Sequence, residues 1–391
     1  MARFNYSQAV KLHEQLGPQR AKQELAEMFS SKAVRPQDID LGRLFMECFG
    51  PSAYMDCRGD RTGRTAAELL ETSGAVSTAA FLNIAGQFVY TNVLDAYVNE
   101  ESVFSNLIPE APASTLDGEK IPGITQIGDE IQERAEGMAY AIAGVGEDWI
   151  FTPPIPDRGV EVALTWEAQF NDKTGQLAER CADVGKWMKI HREKKAIDCV
   201  IDENTVSHRY NWRGTVIASY NDNTGTHTWD NLAGSNGALV DWVDIDAMEQ
   251  VFNAITDPFT GEPTLWDPKH LVVTKQNEQI ARRILSATEI RSGDITTGAG
   301  TQMLTGNFYV NKYQLVTSRL LASRLATDTD YFLGDIGKYA KCMMAEKMSV
   351  VQAPPNSHEE FHRRIIQQWR VNERFAYVVV QPRAMVHATV S

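Results

Sequence analysis

The chain has 391 residues, 43% of them hydrophobic and 23% charged, with a net charge of −13 at pH 7. That length allows two or three folded domains, and the acidic balance argues against a nucleic-acid-binding surface spread over the molecule. No apolar run approaches the roughly 18 residues of a membrane-spanning helix, so no membrane association is expected. The N-terminus, from Met1 to Gln8, lacks a signal peptide's apolar core. Cys48, Cys57, Cys181, Cys199 and Cys342 are scattered and never form a C-x-x-C pair, so reduced thiols in a cytoplasm-like compartment are expected.

In chain order, the first 50 residues read as short helices: one capped by Ser7, one over Gln19 to Phe29, and one after Asp38. From Ser77 to Tyr97 a stronger helix carries two apolar seams, Phe81, Ile84 and Phe88 beside Leu82, Ala85, Val89 and Val93. Asn99 to Gly123 is rich in Pro, Ser and Glu and reads as an irregular arm lying on another subunit. Residues 124 to 172 read as a two-stranded excursion, outgoing through Met138 to Gly144 and returning from Val160 to Phe170. The returning strand alternates cleanly, with Val160, Val162, Leu164, Trp166 and Phe170 on one side. A lone hairpin is marginal in water, so a neighbouring copy is expected to hold it. The excursion is acidic and contains no lysine between Lys120 and Lys173.

Gln176 to Ile201 reads as a helix of about 25 residues, near 40 Å long. Its stripe of Leu177, Cys181, Val184 and Met188 should face its own core, leaving Lys186, Lys189, Arg192, Lys194 and Lys195 to meet solvent or acidic neighbours. His208 to Tyr220 reads as extended chain. Helices at 243–255 and 276–285, with strands at Leu271–Thr274, Phe308–Val310 and Leu315–Thr317, predict a compact domain between about 240 and 350. A helix from Ser357 carrying Phe361, Ile365, Ile366 and Trp369 is expected next, then two core strands bent at Pro382.

One motif invites chemistry. His358-Glu-Glu-Phe-His362 matches H-E-x-x-H, the spacing that sets two imidazoles one helical turn apart with Glu359 placed to activate a zinc-bound water. Glu360, Arg363 and Arg364 interrupt the uncharged surroundings such a site keeps, and no third ligand suggests itself, so an amphipathic surface helix accounts for the residues better. Gly298-Ala-Gly300 and Gly144-Val-Gly146 miss the dinucleotide spacing. No catalytic, cofactor-binding or metal residue is therefore assigned. The aromatics, Trp149 and Trp166 among them, suit packing or interface anchoring.

The order of these elements resembles the major capsid proteins of tailed bacteriophages, whose Hong Kong 97-type shell fold is shared with encapsulins. The likeness is carried by Ser77-Thr-Ala-Ala-Phe-Leu-Asn-Ile84, His270-Leu-Val-Val-Thr274 with Glu278 to Leu285, Tyr331-Phe-Leu-Gly-Asp335, and Arg374 through Val386. The resemblance implies an α+β fold with an N-terminal helical segment (1–75), an N-terminal arm (76–123), an extended β-hairpin loop (124–172), a peripheral domain with a long spine helix (173–239), an axial domain (240–350), and a C-terminal part of the peripheral domain (351–391). It implies a non-enzymatic protein that self-assembles into hexamers and pentamers of an icosahedral shell around double-stranded DNA. Assembly would take place in the host cytoplasm, with the virion capsid as final location. Further partners would be a portal protein, scaffold or decoration proteins, and DNA held by weak non-specific contact. Interface residues would be Phe81, Phe88, Trp149, Val160, Val162, Leu164, Trp166, Phe170, Lys186, Lys189 and Arg192. Some relatives weld their shells through a lysine in the extended loop, which this hairpin lacks, and some lose an N-terminal segment, whereas residues 1 to 50 read here as retained folded helices. An encapsulin-like compartment shell is the nearest alternative, and a zinc hydrolase using His358, Glu359 and His362 is a remote one.

Overall fold

The computed structural model describes residues 75–124, 147–165, 176–202, 210–222, 229–233, 238–257, 261–292, 303–353 and 365–389, with positions 20 and 27 in isolation. Helices and sheets are mixed, an α+β architecture. The elements begin with α1 (Ala75–Asn99), α2 (Phe104–Leu107), β1 (Glu110–Pro112), β2 (Lys120–Ile124), β3 (Glu147–Phe151), β4 (Asp157–Thr165) and α3 (Gln176–Ile201). They continue with β5 (Tyr210–Trp212), β6 (Thr215–Ile217), β7 (Leu232–Ala233), α4 (Trp242–Ala254), β8 (His270–Thr274), α5 (Glu278–Ser286), β9 (Glu289–Ser292) and β10 (Met303–Gly306). The last are β11 (Gln314–Ser318), α6 (Arg319–Ala322), β12 (Tyr331–Gly334), α7 (Ile336–Tyr339), β13 (Ala340–Gln352), β14 (Ile365–Val379), a 3-10 turn at Pro382–Ala384, and β15 (Met385–Ala388).

Packing divides the chain into two units. The first comprises residues 1–101, 157–191 and 346–373. In it α1 buries Phe88, Val89 and Val93, α3 buries Cys181 and Met188, and β14 buries Trp369 and Val371. Of the apolar stripe expected on α3, Cys181 and Met188 are buried and Val184 is half-buried, while the side chain of Leu177 lies outside the described residues. The two helices meet at Gly185, where a Cβ would collide with the carbonyl oxygen of Val93 and lie 3.1 Å from both Ala96 Cβ and Tyr97 N. β4 is hydrogen-bonded to β14. The returning strand of the expected hairpin is thus paired within its own chain over its described part, while the outgoing strand lies outside the described residues.

β14 also corrects the expected final helix, because Ile365 to Trp369 are strand. The spacing of Phe361, Ile365, Ile366 and Trp369 mimics a helix, but the alternation of Trp369, Val371, Phe375, Tyr377 and Val379 governs, and all five are buried. The bend at Pro382 between two core strands is observed.

The second unit comprises residues 102–156, 192–345 and 374–391. Its central sheet has the order β11-β8-β12-β15-β7. β8 runs parallel to β11 and antiparallel to β12, with Val272 opposite both Val316 and Phe332. Both faces of this sheet are covered, which is why β8 reads as an unbroken apolar run after His270. Leu271, Val273, Tyr331 and Leu333 pack with α4 and α5, whereas Val272 and Phe332 pack with Ala196, Ile197, Val200 and Ile201 at the end of α3. Strands β7 and β15 come from outside the interval 240–350. The strand expected at Phe308–Val310 is instead a turn, held by Asn307, whose side-chain amide donates to the Ile284 and Ala287 carbonyls ending α5.

Side chains satisfy the start of α4 and the end of α3. Asp241 and Asp244 form a capping box at the start of α4. α3 stops at Asp202, whose φ of 47° breaks the helix, and its last carbonyls accept from Tyr220 Oη (Val200, 2.6 Å) and Tyr339 Oη (Cys199, 3.3 Å).

The segment expected to be an irregular arm on another subunit is built into this unit. Phe104 and Ile108 are buried, and β1 runs parallel to β13 with Glu110 opposite Cys342. Glu193, 3% exposed, accepts the backbone N–H groups of Val103, Phe104 and Ser105 at 2.8–2.9 Å. Three charge-assisted bonds onto consecutive amides replace the water that a buried carboxylate loses.

Candidate functional site

The expected interface residues fall into three groups. Phe88 is 2% exposed and Arg192 7%, so neither offers a free side chain to another molecule. Arg192 ion-pairs with Glu110, donates to Tyr377 Oη at 3.4 Å and lies 5.8 Å from the Phe375 ring centroid. Its neighbours in sequence are His191 and Glu193, and its ion-pair partner Glu110 is brought from 82 residues away, which no local pattern announces. The side chains of Phe81, Leu164, Trp166 and Phe170 lie outside the described residues, as do His358, Glu359 and His362. Among the described residues no cluster of His, Cys, Asp and Glu could hold a metal ion, and no helix is long and apolar enough to cross a membrane.

The remaining residues lie on surface features. Val160 is exposed and Val162 half-buried on β4, beside an open cleft of about 650 Å³. Its floor is a sheet face with Gly159 and Glu161 from β4, Ala353 after β13, and Gln368, Arg370 and Asn372 from β14. Gly159 cannot be larger, because a Cβ there would lie 2.6 Å from the carbonyl oxygen of Val371. On α3, Lys186 is exposed near Asp183 (4.0 Å), and Lys189 sits 5.1 Å from the Tyr97 ring centroid. In the second unit Trp149 lies on β3, edge-on to Phe151 with centroids 4.9 Å apart, and Lys120 Nζ is 4.5 Å from its ring centroid. Lys120 and Phe151 escaped the sequence reading, although Lys120 was visible as the last lysine before the lysine-free stretch.

Two histidines are buried on the α3 side of the central sheet. His387 stacks on Phe332 (4.3 Å between centroids) and its Nε2 is 3.2 Å from Asp330 Oδ2. His270 accepts the Ile336 N–H at Nδ1 (3.4 Å) and faces Asp335, whose carboxylate holds Lys269 at 2.7 Å. Burial pushes the His270 imidazole below its ordinary value of 6.5, against the opposing pull of Asp335. Burial pushes Asp335 upward, but the hydrogen bond and charge of Lys269 outweigh it and leave the carboxyl below its usual value. Over the interval from 6.5 down to the lower folded value, the unfolded chain binds more protons at His270 than the folded chain does. Stability supplied by neutral His270 is therefore present above pH 6.5 and lost as pH falls through that window. Thermal melts across pH 7 to 5 should show a declining midpoint, and His270→Gln should shrink that decline; an unchanged slope in the variant would remove His270 as its source.

The model of the phage capsid protein family matches residues 150–388. No curated protein matches the chain. Among solved structures, the capsid of cyanophage P-SCSP1u is similar at 10% identity over 75% of this chain and 89% of that one, with a TM-score of 0.47. The structure titled Gordonia phage Cozz is similar at 15% identity over 75% and 87%, with a TM-score of 0.45. A virus-like particle from Pyrococcus furiosus is similar at 9% identity over 77% and 98%, with a TM-score of 0.42.

Proposed function

The chain belongs to the phage capsid protein family, and from that premise we propose that it is a major capsid protein, the repeated subunit of an icosahedral shell enclosing double-stranded DNA. The family match over residues 150–388 carries this reading. In the finer form, subunits gather as hexamers and pentamers in the host cytoplasm, a portal protein occupies one vertex, and scaffold or decoration proteins assist. α3 serves as the spine of a peripheral domain, residues near 240–350 supply most of an axial domain, and residues 124–172 contribute the extended loop. The role is mechanical rather than enzymatic. A net charge of −13 suits it, because a strongly basic inner wall would retain DNA that must enter and leave. Phe81, Val160, Val162, Leu164, Trp166, Phe170, Lys186 and Lys189 remain the proposed contacts between subunits.

Negative-stain microscopy and sedimentation of the expressed chain test the reading. Closed shells or capsomers are expected, and monomers under every assembly condition would overturn it. Nuclease-protected DNA in particles from infected cells separates a virion shell from a protein-filled compartment. The lysine-free stretch between Lys120 and Lys173 adds a second expectation. Mature shells should run as single chains on denaturing gels, and a covalent ladder would refute a purely non-covalent shell.

A further inference from the structure

The short helix α7 is a joint of the second unit. The Tyr339 hydroxyl donates to the Cys199 carbonyl at the end of α3, and the Tyr339 carbonyl accepts the N–H groups of Val380 and Gln381 at 2.8 and 3.2 Å. Just before the helix, the Asp335 N–H donates to the Ala384 carbonyl at 2.8 Å. α7 therefore sets the end of α3 against the bend that separates β14 from β15. Ile336 and Tyr339 are fully buried, so their backbone groups depend on protein partners.

Among the described residues the Ile336 N–H has one acceptor, His270 Nδ1 at 3.4 Å. A ring nitrogen accepts only while it carries no proton, so this bond requires the hydrogen of neutral His270 to sit on Nε2. A second proton must then go to Nδ1, where it faces the Ile336 N–H, donor against donor. The nearest anion is Asp335 Oδ1, 4.0 Å from the same nitrogen. That oxygen accepts the Gly337 N–H at 3.1 Å, and Oδ2 holds Lys269 at 2.7 Å. The groups acting on His270 are Asp335 and the Gly334 carbonyl, which favour the imidazolium, and Lys269, which opposes it. Opposite His270 stand the uncharged Gln314 on β11 and Gly334 on β12, and Lys338 of α7 lies over Trp266, 5.3 Å from the ring centroid.

We propose that His270 and Asp335 form a proton-operated latch on α7: neutral His270 holds the helix through the Ile336 N–H, and protonated His270 releases that N–H and pairs with Asp335. The ring has to travel only about 1 Å to bring Nδ1 within hydrogen-bond distance of Asp335 Oδ1. A carboxylate offers about four acceptor positions, so Asp335 takes the imidazolium without giving up Gly337 or Lys269. The buried Ile336 N–H is left without an acceptor, and α7 loosens. Burial opposes the charge on His270, so the latch is closed at neutral pH and opens below the ordinary histidine value of 6.5. His387 is not a second latch, because its Nε2 already lies 3.2 Å from Asp330 and a charge gained there strengthens the contact it has. The exchange is a change of partner within the folded chain, separate from the unfolding that melts report, and it does not depend on assembly.

Hydrogen exchange of the full chain at pH 7 and pH 5, read by mass spectrometry and corrected for the intrinsic pH dependence of exchange, tests the latch. Protection of the α7 amides should fall at least about tenfold at pH 5, while that of the α4 amides stays within about twofold. In His270→Asn the side-chain oxygen stands near the place of Nδ1 and accepts at either pH, so the loss at α7 should vanish. Asp335→Asn keeps an acceptor for Gly337 but removes the anion, so the loss should move to lower pH. Equal α7 protection at both pH values in the wild type, an equal loss in His270→Asn, or a loss shared by α4 would each overturn the latch. Should His270→Asn fail to fold, Asp335→Asn decides, and an unshifted midpoint there overturns it.

Discussion

Replacing Asn231 by aspartate should remove about 3–5 kcal/mol of stability, the range measured when a buried charge is left without its partner. Asn231 is fully buried. Its amide nitrogen lies within 2.9–3.1 Å of three carbonyl oxygens, those of Ser219, Pro382 and Met385, and its Oδ1 accepts the Asn221 N–H at 2.8 Å. One side chain thus ties β6's following loop, the bend at Pro382 and the start of β15 together. A carboxylate is isosteric but turns a donor into an anion facing those three oxygens. Urea unfolding measures the loss. Asn231→Ser, which removes the bonds without adding charge, should cost less, about 1–3 kcal/mol. Burial against carbonyls should also raise the new carboxyl's pKa above its unfolded value near 3.9, so the aspartate variant should recover stability as pH falls toward that region. A variant as stable as wild type at pH 7 would mean that this hub is not holding the chain together.

Gly185→Val should damage the first unit comparably. The carbonyl oxygen of Val93 occupies the space a Cβ would need, and the Ala96 Cβ and Tyr97 N stand 3.1 Å away, so α1 must move off α3 to admit even alanine. Overpacking typically costs about 1–3 kcal/mol, and here the obstacle is helix backbone rather than a flexible side chain. Alanine should fall within that range and valine beyond it, as lowered yield of soluble protein and a lower melting midpoint. Valine at wild-type stability would show that the helices do not meet at this glycine in solution. Lys186→Ala, one residue away and exposed, is the control expected to leave the melt unchanged.

These two residues also show where reading from sequence stops. Gly185 interrupts a helix-forming run, and nothing local states that another helix's carbonyl lies against it. Asn231 sits in a polar loop like many others, and its partners come from residues up to 154 positions away. The helices at 75–99, 176–201, 242–254 and 278–286 were legible because each repeats apolar residues at helical spacing over several turns. β13 was not, because Ala-Lys-Cys-Met-Met-Ala-Glu-Lys-Met is built of helix-favouring residues, and only pairing between neighbouring strands makes it extended. Of the expected contact residues, Val160, Val162, Lys186 and Lys189 lie on accessible or half-buried surface, while Phe88 and Arg192 are inside.

By itself, the sequence determined the mixed helix and strand composition, the long helix with its Cys181 and Met188 stripe, the paired strands around Pro382, and the acidic balance of the chain. Those follow from short-range periodicity and from charge, which are properties of neighbouring residues. Only the tertiary structure decided that Val103 to Ser105 are stapled by Glu193 and that Arg192 is buried against Glu110. Periodicity tells which side of an element is apolar, but whether that side is covered, and by what, depends on contacts between segments far apart in the chain.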